Sequence, residues 1–87
     1  MRVISQDGTI DIPYSQSSLF IVSGEYEDVE VARIYCQNSY TPSIKTAEYS
    51  TEEKAIKALK MLSEAYTFYN DTDHTFFQFP QDNEIEV

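Results

Sequence analysis

STEEKAIKALKMLSEAY, residues 50–66, is the stretch that decides the architecture. Within and just beyond it, Ala55, Leu59, Leu62, Tyr66 and Tyr69 recur at spacings of four, three, four and three, one stripe of a 3.6-residue repeat. Ile56, Ala58 and Ala65 widen that stripe. The run opens on Ser50-Thr51-Glu52-Glu53, which has the form of a capping box. In that motif the serine hydroxyl accepts from the amide three residues on, and Glu53 reaches back to the amide of Ser50. Glu53 and Lys57 stand four apart, in the favourable order for a helical ion pair worth about 0.3–0.5 kcal/mol. The spacing predicts one amphipathic helix, and its apolar stripe needs a partner elsewhere in the chain.

That partner is read on either side of the helix. Residues 2–6 and 9–14 flank Asp7-Gly8, a pair suited to the positive φ angles of a tight hairpin turn. Pro13 ends the second arm because it has no amide proton to donate. Residues 17–23 contain Leu19-Phe20-Ile21-Val22, apolar on both faces, and read as a central strand that Gly24 breaks. Residues 25–28 then form a turn, 29–36 a strand, 37–43 a loop and 44–49 a more polar strand. After the helix, Asn70-Asp71-Thr72-Asp73 is a turn cluster, 75–79 an aromatic strand stopped by Pro80, and 81–87 a polar acidic tail. The expectation is a single small α+β domain spanning residues 1–87, an antiparallel sheet of about five to six strands with one helix packed on a face.

Charge narrows the function classes. Fifteen acids face six bases, for a net charge of −9. In the helix, Lys54, Lys57 and Lys60 are balanced by Glu52, Glu53 and Glu64, so the whole excess lies outside it. Only Arg2, Arg33 and Lys45 offset the acids there. A one-signed acidic body repels nucleic acid and acidic membrane and is drawn to basic protein surfaces. The longest apolar run, residues 19–22, is far short of a membrane span, and MRVISQDG lacks the apolar stretch of a signal peptide. One cysteine, Cys36, excludes an internal disulfide and fits a reducing compartment. A soluble, cytoplasmic protein is expected.

Four acids fall within six residues, Glu25, Glu27, Asp28 and Glu30, with Tyr26 among them. On an extended edge, every second residue repeats at about 6–7 Å, close to the spacing of nucleic-acid phosphates. Such a run can compete for a groove lined with Lys and Arg. The plain alternative is a solvated turn whose charges block sheet-to-sheet aggregation. Together, Glu25, Tyr26, Glu27, Asp28 and Glu30 form the candidate partner-binding site. A metal reading can be assembled from Asp71, Asp73, His74 and Cys36. It is disfavoured, because Cys36 sits in an apolar strand pattern and the turn lacks the glycine and glutamate of a calcium loop. One histidine and one cysteine without a local motif do not make a nucleophile–base pair. Neither catalytic residues nor a cofactor or metal is therefore expected.

Three segments, MRVISQDGTIDIPY, AEYSTEEKAIKALKMLSEAY and FFQFPQDNEIEV, together resemble a group of small proteins carried by phages and mobile elements of low-GC Gram-positive bacteria. The resemblance covers the two ends and the helix; residues 19–44 lie outside it. It implies an anti-defence role in the cytoplasm of the host bacterial cell. One form is an anti-CRISPR protein that occupies a basic nucleic-acid groove or mobile domain of a Cas nuclease. A second is a Thoeris-inhibiting sponge for a cyclic-nucleotide immune signal, which would need inward-facing bases. A third is a structural or regulatory phage protein without a defence role. The partner implied by the first is a host-defence protein with a basic surface, and a homodimer is compatible with the sequence.

Overall fold

The computed structural model describes residues 1–39, 41–69 and 75–87, the side chains of Thr41 and Tyr69 apart. The turn cluster Asn70-Asp71-Thr72-Asp73 and His74 lie outside the described residues, as does any metal role for them. Among the described residues, six strands and one α-helix follow in the order β1 (Arg2–Ile4), β2 (Asp11–Pro13), β3 (Ser17–Tyr26), β4 (Val29–Asn38), β5 (Thr41–Tyr49), α1 (Glu52–Tyr69) and β6 (Phe76–Gln78). This is the expected α+β class. The strands divide between two three-stranded sheets, ordered β2-β1-β6 and β3-β4-β5.

The opening hairpin forms around Asp7-Gly8, but its arms are shorter than the expected 2–6 and 9–14, and residues 5–10 connect them in place of a tight two-residue turn. Gly8 sits at φ 78°, and β1 pairs antiparallel with β2. Ser5 and Asp7 organise the turn from within: the Ser5 hydroxyl donates to Asp7 Oδ1 at 2.7 Å and accepts the amides of Thr9 and Ile10. Thr9 donates to the same Asp7 oxygen through both its amide and its hydroxyl. On the other side of β1, β6 pairs in parallel, with Val3 opposite Phe77. The long connection through the other sheet and the helix makes this parallel pairing available.

The second sheet is a meander. β3 and β4 pair without interruption from Ser17↔Asn38 to Tyr26↔Val29. Gly24 does not end β3, because its backbone pairs normally opposite Val31. The turn is narrower than expected and consists of Glu27 and Asp28 at φ 52° and 65°. β4 likewise runs on to Asn38, and β5 begins at Thr41, so the expected long loop over 37–43 is largely strand. Where β4 meets β5 the register shifts between Ile34 and Tyr35, leaving Thr46 as an extra residue. Buried there, Thr46 donates its hydroxyl to the Ile34 carbonyl at 3.0 Å.

Directly opposed residues share a face, so Ile34, Ala32 and Cys36 of β4 look inward with Ala47 and Tyr49 of β5. They are buried against Ala55, Ala58 and Leu62 of α1. Val3, Ile12, Phe79 and Ile85 extend the same core beneath the first sheet. Leu59, Ala65 and Tyr66 are half-buried, as the stripe predicts, but Ile56 is 52% exposed. Residues 55, 58, 59 and 62 lie on the sheet-facing side, and Ile56 is turned outward from it. Cys36 is fully buried and unpaired. No helix among the described residues is long and apolar enough to cross a membrane.

Candidate partner-binding site at the acidic hairpin tip

The β3–β4 hairpin carries Glu25, Tyr26, Glu27, Asp28 and Glu30 at its end, and the structure brings all five together. A two-residue connection with both φ angles positive meets the condition of a type I′ turn, whose favoured residues are Asn-Gly. Here Glu27 and Asp28 occupy those positions. Aspartate tolerates the left-handed region better than glutamate, and each non-glycine there costs of order 1 kcal/mol. Behind the turn, Glu25 stands directly opposite Glu30, and Tyr26 opposite Val29. Like charges placed so are unfavourable by a few tenths of a kcal/mol or more.

Alternation sends these residues to two faces. Glu25 and Glu30 share the helix side with Ser23 and Ala32, whereas Tyr26 and Val29 lie on the outer side. Tyr26 is 66% and Val29 60% exposed. Among the described residues the side chains of Glu25, Glu27 and Asp28 have no ion-pair or hydrogen-bond partner. Glu30 differs: its Oε1 accepts the amide of Glu52 at 3.2 Å, the first residue of α1. One of the four acids thus caps the helix, where an anion is favoured by the helix dipole.

The expected capping box is not formed. Thr51 precedes the helix, and its hydroxyl accepts the Lys54 amide at 3.2 Å. Ser50 points instead to the far end of the chain, donating its amide and hydroxyl to the Asp82 carboxylate at 2.7 and 3.1 Å. Lys54 reaches the same carboxylate at 3.2 Å. Asp82 is held below the usual carboxylate range, first by the Ser50 amide, then by Lys54 and the Ser50 hydroxyl. Lys57 donates to the Glu86 carbonyl in place of the expected pairing with Glu53. The 81–87 segment is consequently docked, with its own Ile85 buried in the core.

The bases outside the helix are all engaged. Arg2 bonds Asp11 at 2.8 Å. Arg33 and Lys45 both meet Glu48, at 2.8 and 3.6 Å. Arg33 is the main cause that lowers the Glu48 pKa. Glu30, Asp82 and Gln6, each decisive for how the elements join, carry no local sequence signal that reveals those partners. Among the described residues no group of three or more His, Cys, Asp and Glu is placed to hold a metal ion. No family model, characterised protein or solved structure matches the chain.

Proposed function

We propose that the chain is a non-enzymatic, phage-encoded inhibitor of a bacterial immune system, of the anti-CRISPR kind. It acts in the host cytoplasm by stoichiometric binding to a basic nucleic-acid groove or mobile domain of a Cas nuclease. The observation that carries this reading is the tip: Glu27 and Asp28 hold a left-handed turn that glycine or asparagine fills at lower cost. Glu25 and Glu30 add repulsion behind it. An arrangement that is locally unfavourable on both counts is explained by an outside cation that these acids meet. Tyr26, exposed beside them, supplies an aromatic contact of the kind enriched at interface centres. The sponge reading is less well supported, because Arg2, Arg33 and Lys45 already face carboxylates of this chain.

The test is a titration of purified protein into DNA cleavage by a panel of guide-loaded Cas nucleases, at rising salt. Cleavage of at least one nuclease should be lost at equimolar protein. The combined variant Glu25→Gln, Glu27→Gln, Asp28→Asn should require more protein, and the difference should shrink with salt as the Debye length falls below about 8 Å. Undiminished cleavage by every nuclease, with a nucleotide recovered from the purified protein, would replace this reading by the sponge.

A further inference from the structure

The two edges of the β3-β4-β5 sheet are treated very differently. Along β5, Gln6 behaves as a substitute strand: its amide donates to the Thr46 carbonyl at 2.8 Å, and its side chain both donates to the carbonyl and accepts from the amide of Glu48. Along β3, no described group other than β4 hydrogen-bonds to residues 18–26. That strand is ten residues long, pairs with β4 without a bulge, and contains neither Pro, Lys nor Arg. Its one charge, Glu25, stands at the tip end, so residues 17–24 carry none of the devices by which a free edge is ordinarily blunted. Beside it, Phe20 is 37% and Val22 50% exposed on the outer face, with Phe20 stacked on Tyr35 of β4 at 5.9 Å.

We propose that β3 pairs antiparallel with β3 of a second copy, joining two three-stranded sheets into one of six strands across a two-fold axis near Ile21. The distribution of charge along the strand selects a second copy in this orientation. Centred on Ile21, the register sets Phe20 opposite Val22 of the other chain, Leu19 opposite Ser23, and Ser17 opposite Glu25. The one charge in the strand then faces a hydroxyl, and no like charges are opposed. Antiparallel pairing also sends the two acidic tips to opposite ends. Glu27 lies six residues from Ile21, so at about 3.4 Å per residue the two tips stand about 40 Å apart. That exceeds several Debye lengths at physiological salt, so the acids of the two tips do not oppose this contact. A two-fold interface uses the same patch on both copies, and each leaves its tip free. The proposal stands whether or not the tip binds a nuclease.

Sedimentation velocity of the intact chain over a range of concentrations, with spin-label distances, decides it. The mass should move from 10.1 kDa towards twice that value as concentration rises. A nitroxide on Glu27→Cys, attached by brief labelling that buried Cys36 should resist, should report about 40 Å between copies. Phe20→Lys and Val22→Lys should shift the sedimentation to monomer with an unchanged circular dichroism spectrum. A monomer at the highest soluble concentration overturns the proposal. So does a dimer with its tips close together, or one that both lysine variants leave intact.

Discussion

The carboxylate of Asp82 accepts both the amide and the hydroxyl of Ser50, 32 residues earlier in the chain. This one contact fixes the entry of α1 against the C-terminal segment and takes Ser50 away from its own helix. A charged acceptor forms the stronger hydrogen bond, and Lys54 completes the pairing from the first turn. Asp82→Ala is expected to lower stability by about 1–2 kcal/mol, and Ser50→Ala by about 0.5–1 kcal/mol, since the amide bond survives in the second. Thr51→Ala, which removes the actual cap, should cost about 1 kcal/mol. Urea melts of the three variants check the order.

Acid should release the same contact. Asp82 and Asp7 both have folded pKa values below their ordinary 3.8, Asp7 at about 2 under the Thr9 and Ser5 hydroxyls and the Thr9 amide. A depressed carboxylate pKa contributes stability that is complete above the unfolded value and is lost as pH falls through the folded one. The urea midpoint should therefore drop between about pH 4 and pH 2, and the drop should be smaller in Asp7→Asn with Asp82→Asn. Carboxyl NMR titration assigns each group, and an ordinary pKa at both would remove the effect.

The helix face is tested by three truncations. Leu62→Ala should cost about 2–5 kcal/mol, because the side chain is 1% exposed and faces the sheet. Half-buried Leu59 should lose less, and Ile56→Ala should stay within about 0.5 kcal/mol of wild type. A large loss at Ile56 would mean that the helix is rotated from the orientation described.

Gln6 joins the sheets through bonds to Glu48 and, at 3.1 Å, to the Pro80 carbonyl. Gln6→Ala should destabilise the fold by about 1–3 kcal/mol and speed hydrogen exchange at the Glu48 amide. Gln6→Glu should be at least as harmful, since it replaces a donor with an anion facing two carbonyls.

At the tip, strain and binding are separable. Glu27→Asn with Asp28→Gly should raise stability by about 1 kcal/mol, because both residues suit positive φ. The gain would come with weaker nuclease inhibition. Glu30→Gln should instead lose about 0.3–1 kcal/mol through the Glu52 amide. Thermal melts beside the cleavage titration distinguish the two effects.

The helix, both hairpins and the order of elements were legible in the sequence, because the 3.6-residue period, alternation and turn chemistry are encoded over about ten neighbouring residues. The acidic tip was legible too, as a run of charge. Where β3 and β4 end was less so, since Gly24 and Asn38 weaken a strand locally while ladder pairing carries it through. What tertiary structure alone decided was which distant group each polar side chain chose. Ser50 turned to Asp82, Glu30 to the helix, Lys57 to Glu86 and Gln6 to Glu48, and β6 took a parallel place beside β1. Each choice depends on partners that local sequence does not identify, and the stronger hydrogen bond or the larger buried surface wins only once the chain has closed.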